Sequence, residues 1–296
     1  MAESRNNLMA ISGMDKVDEG AYLAVYDLKS FEEGSRLSVI EVDPASGIKV
    51  QPVLINDWKH EDGAGSDLES VCRLPDRENE FLIAESGRWD GEYGRLFHLK
   101  LVNASSSYNA DILGVIELPE FDAKGPDDPA GDEIEGLACF STLNNELIVL
   151  FGERGGSDAY TDGLIRWAQA DLRSYKLKWA TEGKTGVAVN APGNWTNSSL
   201  NRDISGLHID EALNIWAVAS EELGENGPFN SIVYRIGKVN GDNNKPVILS
   251  DSLEVYKELS GFKAEAIAAG TDSIPGSRLT IGTEDEQLGG TWRVLN

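Results

Sequence analysis

Asp67-Leu-Glu-Ser-Val71 is followed, after a polar stretch, by Phe81-Leu-Ile-Ala-Glu85. The first segment returns as Glu133-Ile-Glu-Gly-Leu137, Asp203-Ile-Ser-Gly-Leu207 and Lys263-Ala-Glu-Ala-Ile267. Each runs from a mostly polar residue through an apolar one, a Glu or Ser and a small residue to an aliphatic. Asn7-Leu-Met-Ala-Ile11 fits the same frame with Met9 in third place. The second segment returns as Tyr22–Asp27, Leu147–Glu153, Ile215–Glu221 and Leu279–Glu284, apolar runs that end in an acid. An internal period of this kind outranks local propensity in deciding the architecture.

Third strands are predicted at Arg36–Val42, Arg95–Leu101, Leu164–Ala170, Ser231–Ile236 and Thr291–Leu295. Fourth strands follow at Ile48–Leu54 and Ile112–Leu118, with weaker ones near Lys178–Thr181 and Val247–Leu249. Four strands repeated five times predict an all-β fold, a five-bladed β-propeller with four-stranded antiparallel blades. The units fall at about 6–57, 66–120, 132–182, 203–252 and 263–296 of a single domain over 1–296. The fifth stops after its third strand, so the last blade is expected to be incomplete. Ala264–Ala269 has a helix-prone composition, but its place in the repeat predicts an innermost strand.

In a blade whose strands run antiparallel from centre to rim, the start of the first strand and the end of the second share one face. The third-place residues Glu69, Glu135, Ser205 and Glu265 therefore ring one mouth of the channel. The acids that end the second strands, Asp27, Glu85, Glu153, Glu221 and Glu284, form an outer ring around them. The long, Gly- and Pro-rich crossings at 57–66, 119–131 and 182–202 lie on the same face, where function concentrates. Converging carboxylates repel and take up protons unless a counter-charge is supplied. A hard cation with oxygen ligands supplies it, so Ca2+ is expected on Glu69, Glu135, Ser205 and Glu265. The alternative is a metal-free ring neutralised by Arg88, Arg154, Arg202 and Lys263.

These motifs resemble the phytase-like propellers, the family named for esterase-like activity of phytase. The likeness rests on Asp67-Leu-Glu-Ser with Phe81–Ser86, on Glu133–Leu137, and on Asp203–Leu207 with Ala219–Glu222. A second resemblance is to the calcium-activated nucleotidases, or apyrases. It implies five blades and a central calcium held by Glu and Ser at the starts of inner strands. Met9 departs from that pattern, and so does the acidity of the mouth.

The chain has 296 residues, with 50 Asp and Glu against 26 Lys and Arg, a formal charge of −24. That balance excludes nucleic acid and an anionic membrane surface as partners. No run approaches the ~18 apolar residues of a membrane span. No leader is visible, so a cytoplasmic monomer is expected, although a secreted chain trimmed of its leader reads the same way. Cys72 and Cys139 fall on opposite blade faces by alternation and are expected as buried free thiols. His60, His98 and His208 occupy different strand phases and form no catalytic pair. Two functions stay open. One is a calcium-dependent hydrolase of a phosphoester or related ester, with Glu85, Glu153 or Glu221 as base and Arg88, Arg154 and Arg202 orienting a small anionic substrate. The other is a non-catalytic propeller with a structural calcium, which presents the long-loop face to a protein partner.

Overall fold

A computed structural model describes residues 8–29, 32–61, 63–87, 94–104, 107–118, 133–156, 160–197, 200–221, 223–242 and 245–296. Antiparallel meanders follow one another along the chain. The first comprises β1 (Gly13–Asp18), β2 (Ala21–Val25), β3 (Leu37–Asp43) and β4 (Gly47–Ile55). The second comprises β5 (Leu68–Arg73), β6 (Glu80–Glu85), β7 (Arg95–Ala104) and β8 (Ser107–Glu117). In the third, β9 (Ile134–Ser141), β10 (Leu147–Glu153), β11 (Gly163–Asp171) and β12 (Lys176–Trp179) are followed by a short helix α1 (Thr181–Thr185) and by β13 (Val187–Val189), which pairs with β11. The fourth comprises β14 (Asn201–Ile209), β15 (Asn214–Glu221), β16 (Asn230–Val239) and β17 (Val247–Ser260). The fifth has β18 (Ala264–Ala269), β19 (Leu279–Thr283) and β20 (Trp292–Leu295). The repeat thus prevails over helix propensity at Ala264–Ala269. No described helix is long and apolar enough to cross a membrane.

The expectation of five separate four-stranded blades is corrected. The meanders lie in four sheets, of eight, five, four and three strands. The first two merge because β4 and β8 pair in parallel through Val53–Ile55 and Tyr108–Ala110. Both are outermost strands with an unpaired edge, and running side by side they satisfy each other's backbone groups.

The first strands β1, β5, β9, β14 and β18 are neighbours in that order, and β18 returns to β1. An apolar layer fills each seam of this cycle. Leu23, Val39, Phe81 and Phe97 lie between the first and second meanders. Leu82, Val149 and Phe151 lie between the second and third, and Leu150, Trp167 and Tyr234 between the third and fourth. Val218 and Ile281 lie between the fourth and fifth, and Tyr22 and Trp292 close the cycle between the fifth and first. Val149 and Leu150 are successive residues that point into different seams, as alternation along a strand requires. Both faces of the inner strands are therefore buried, which is why Leu147–Phe151 is apolar without a break. This is an all-β, propeller-like arrangement.

The small fourth place of the repeat has a steric cause. A Cβ on Gly13 would lie 2.6 Å from the Glu69 carbonyl oxygen, and one on Gly206 would lie 2.4 Å from that of Glu265. Side chains there would hold the first strands apart. The close approach also overturns the free-thiol expectation, because Cys72 of β5 and Cys139 of β9 form a disulfide with Cα atoms 5.8 Å apart. Their opposite parity is what joins them. In stacked sheets, the forward face of one meets the backward face of the next, and both cysteines belong to the second seam.

Candidate functional site

The first strands begin around a funnel of about 280 Å³. Asp27, Asp67, Glu69, Glu133, Glu135, Glu284 and Glu286 line it together with Lys29, Arg154, Arg202 and Lys263, so every lining residue is charged. Glu265 lies fully buried beneath them. Below is a constriction of about 10 Å³ bordered by Gly13, Ser70, Glu135, Gly206 and Glu265.

Local backbone irregularity aims the inner carboxylates. The β5–β6 register shifts between Leu68 and Ser70, at Glu69. Corresponding shifts occur at Glu135, opposite Gly152 and Glu153, and at Glu265, between Ala264 and Ala266. A bulge of this kind redirects one side chain while the ladder continues on either side. In the first meander the corresponding position is Ser12, because Gly13 pairs with Val25 as Gly136 pairs with Gly152. The frame that puts Met9 in third place is therefore three residues early.

Four cations are shared among eight carboxylates. Arg154 pairs with Glu133 and lies 3.7 Å from Glu135. Arg202 lies 3.7 Å from Glu135 and 3.1 Å from Glu265. Lys263 lies 3.2 Å from Glu265 and 3.3 Å from Glu284, and pairs with Glu286. Lys29 lies 3.3 Å from Asp67, which also accepts from Ser86 Oγ at 2.7 Å. Among the described residues the carboxylates of Asp27 and Glu69 make no hydrogen bond or ion pair, and Glu265 Oε2 is buried without a partner.

Electrostatics follow from this shortage. Burial, then Glu135, Asp67, Glu284 and Glu265, push the Glu69 carboxyl well above its ordinary range. Burial pushes Glu135 up to about 7 against the pull of Arg202. Burial and Glu284 raise Glu265, while burial, Glu265 and Asp67 raise Asp27. Burial works to lower the Lys263 ammonium, but Glu265 and Glu284 outweigh it and the net shift is upward.

The outer acids divide into two groups. Asp27 and Glu284 reach the funnel, whereas Glu85, Glu153 and Glu221 do not line it. Glu85 accepts from Arg95 Nη2 at 2.6 Å, Arg95 Nε at 2.9 Å and the Ser66 amide at 2.9 Å. Glu153 is bound by the Arg166 guanidinium. Glu221 accepts from the Asn197 amide at 2.5 Å and from Asn230 Nδ2 at 3.3 Å. Parity decides the division. Val25 and Gly282 face the small residues Gly13 and Ala266, and Asp27 and Glu284 follow two places later. Glu85 and Glu153 follow Ala84 and Gly152 by one place, and Glu221 follows Val218 by three. An odd offset sends the side chain the other way.

Of the remaining predicted residues, Arg154 and Arg202 line the funnel, while Arg88 lies outside the described residues. Ser205 is fully buried, is 2.9 Å from Ser220 Oγ and does not line the funnel. His60 Nδ1 is 3.2 Å from Arg95 Nη1, and His98 Nε2 is 3.0 Å from Glu80. Residue-by-residue reading missed Asp67 and Glu133. Both open the motif whose third place it selected, and residues two apart on a strand share a side.

The donor set suits a hard cation, with carboxylate oxygens in excess, two carboxylates without a partner and one orphaned buried oxygen. Among the described residues, no group of three or more His, Cys, Asp or Glu is placed so that it could hold a metal ion.

No protein-family profile matches the chain, and no curated protein matches it in sequence. In three dimensions it is similar to a thermostable family-43 glycoside hydrolase, with a TM-score of 0.54 at 12% identity over 99% of this chain and 92% of the other. The family-43 YxiA protein from Bacillus licheniformis gives 0.52 at 13% identity over 98% and 71%. The exo-β-1,3-galactanase 1,3Gal43A from Clostridium thermocellum gives 0.51 at 9% identity over 99% and 62%. At such identities the likeness shows the fold alone. It supports the propeller fold implied by both sequence resemblances, and it shows neither the phytase-like nor the apyrase family.

Proposed function

We propose that the chain is a five-bladed β-propeller whose funnel binds a hard divalent cation, Ca2+, on Glu69, Glu135 and Glu265. The observation that carries this reading is the excess of eight carboxylates over four cationic side chains, with Glu69 unpartnered at the centre. Zinc would want His or Cys, and the funnel has neither. Ser205 is left out of the ligand set because it is fully buried and does not line the funnel. The test is thermal unfolding of chelator-treated protein titrated with Ca2+, with Mg2+ as control. Saturation at a hundred times the dissociation constant adds about 2.7 kcal/mol. The rise should be calcium-selective and absent in Glu69→Gln. If Ca2+ leaves unfolding unchanged, the reading fails.

The activity such a site supports is hydrolysis of an anionic ester, a phosphoester first. When bound, the cation polarises an ester oxygen beside it. Arg154 and Arg202, which stand beside Glu135 and Glu265, orient the anion. Asp27, unpartnered and with its pKa raised by burial and by Glu265, is the carboxylate able to take a proton from an attacking water. It replaces Glu85, Glu153 and Glu221, whose oxygens are engaged elsewhere. The structural relatives are glycoside hydrolases by their descriptions, so aryl glycosides belong in the same screen. A wholly charged funnel, however, gives a sugar ring no apolar face. Turnover that needs Ca2+ and is lost in Asp27→Asn supports the hydrolase. A calcium-stabilised protein without turnover supports the second reading, a binding propeller with a structural cation and a protein partner on the long-loop face. The Cys72–Cys139 bridge favours an oxidising compartment over the cytoplasmic one expected from the sequence.

A further inference from the structure

The seam between the second and third meanders carries a like-charge pair at one end and the disulfide at the other. Glu69 and Glu135 lie near the starts of β5 and β9 and line the funnel. Burial first, and then Glu135, disfavours the ionised form of Glu69. Like charges at this end push the two strands apart. β5 pairs with β6 and β9 with β10, in different sheets, so their ladder hydrogen bonds run within each meander rather than across the seam.

Other ties cross it. The Ile134 amide donates to the Ser86 carbonyl at 2.7 Å near the funnel, and Leu82, Val149 and Phe151 pack between the sheets. The Cys72–Cys139 bridge closes the far end. Cys72 is three residues along β5 from Glu69, and Cys139 four along β9 from Glu135. At about 3.3 Å per residue, the bridge holds both strands roughly 10–13 Å from the carboxylates. Its sulfurs are unequally placed. Cys72 is 2% exposed, whereas Cys139 is partly buried and borders a cleft of about 590 Å³ at the end of the channel away from the funnel. A small thiol in that cleft meets Cys139 first.

We propose that the Cys72–Cys139 bridge is a redox control of the funnel: closed, it holds Glu69 and Glu135 together for a shared cation, and open, it lets β5 and β9 part and cation affinity fall. This rests on the cation reading of the funnel. In reduction by a dithiol, one thiolate attacks Cys139 Sγ, the bridge breaks, and its electron pair leaves on Cys72 Sγ, which takes a proton. The second thiol of the reductant then closes on the first and releases Cys139 as a thiol. The bridge gains two electrons and two protons, and the dithiol becomes a cyclic disulfide. The funnel is thus competent in an oxidising compartment and weakened wherever thiols are kept reduced.

The test is calorimetric titration of chelator-treated protein with Ca2+, before and after native reduction with dithiothreitol and blocking with iodoacetamide. Both cysteines should be blocked in folded protein, and calcium affinity should fall roughly tenfold. Unblocked protein reoxidised with glutathione disulfide should recover it. Cys72→Ala/Cys139→Ala should match the reduced form and ignore reductant. Ile236→Ala, which opens a cavity in the seam of the third and fourth meanders, controls for lost stability and should keep wild-type affinity. Hydrogen exchange gives a readout without calcium: reduction should speed exchange at the funnel ends of β5 and β9 relative to β14 and β18. If the oxidised protein binds no Ca2+, the cation reading falls, while faster exchange at those ends would still support control of the funnel by the bridge. Equal calcium affinity with both cysteines blocked, unchanged exchange at those ends, or a bridge that dithiothreitol leaves closed in the folded protein would overturn the proposal.

Discussion

Two sets of acids on neighbouring strands have opposite roles. Glu85, Glu153 and Glu221 each have dedicated donors: Arg95, Arg166, and the amides of Asn197 and Asn230. Glu69, Glu135 and Glu265, with Asp27, share too few cations and include groups with no partner. Both sets are largely buried, so burial does not separate structural from ligand-binding carboxylates. The number of donors per oxygen does. A buried charge with its own partner is held in place, whereas one without is raised in pKa or waits for a ligand.

The largest effect should come from breaking a dedicated pair. Arg95 and Glu85 expose only 7% and 4% of their side chains, so Arg95→Ala leaves a buried carboxylate uncompensated. Such a loss costs about 3–5 kcal/mol. Urea unfolding should show the midpoint fall with an unchanged slope, and Arg166→Ala should behave alike. Variants that unfold at the wild-type midpoint would place these acids with the inner set.

Next is the covalent link between the strands that carry Glu69 and Glu135. Cys72 and Cys139 are 67 residues apart in sequence. The chain-entropy estimate for that loop is about 4 kcal/mol. The double Cys→Ser variant should lose stability of that order, and reductant should reproduce the loss in the wild type. A wild type unaffected by reductant would mean that seam packing alone holds the inner ring together.

Charge removal inside the funnel should act with the opposite sign. Glu69→Gln removes one of the crowded like charges without creating an unpaired partner. In chelator it should stabilise by about 1 kcal/mol, the scale of one pKa unit. It should also abolish the calcium response. Destabilisation by this variant would erase the distinction between the two sets.

Much of this was legible in the sequence. The period located the first strands that carry Glu69, Glu135 and Glu265, the second and third strands, and the three-stranded end of the chain. The first unit was harder, because Ile11-Ser12-Gly13-Met14 lacks the acid that marks the others, and Leu8-Met9-Ala10-Ile11 mimics its pattern. The outer ring splits, with Asp27 and Glu284 at the funnel and Glu85, Glu153 and Glu221 away from it, and the sequence without strand pairing does not show the split. Whether an acid stands one, two or three places beyond the residue facing the small position fixes its direction, and that register is set between strands. The cysteines failed because parity was judged within one sheet, whereas the bridge joins facing surfaces of two. The merger of β4 with β8 left no mark, since edge pairing depends on how rims meet across the seam.

The smallest effect should appear in acid and makes the contrast measurable within one protein. Glu19 accepts from Lys16 Nζ at 2.8 Å and from the Ser273 amide and hydroxyl at 3.0 Å each, and it is also bonded to Thr271, so it ties the first meander to the fifth. Lys16, then Thr271, hold its carboxyl down at about 2. Between pH 2 and the ordinary value of 4.5 the unfolded chain binds more protons at this site, so its stabilisation is complete above that window and lost as pH falls through it. Glu135 is the mirror case. Pushed up to about 7, it binds more protons folded than unfolded from 4.5 upward, so its contribution declines as pH rises toward 7. In chelator, melting temperature should therefore climb from pH 2, peak near pH 4.5 to 5, and sag toward neutrality. Glu135→Gln should make the sag shallower, the raised Glu69, Glu265 and Asp27 keeping the rest of it. Glu19→Gln should flatten only the acid limb, and by little, about 0.5 kcal/mol, because Glu19 is partly exposed and screened by solvent. A profile in which Glu19→Gln moves the neutral limb, or Glu135→Gln the acid limb, would show that a carboxylate's donor count does not set the sign of its contribution.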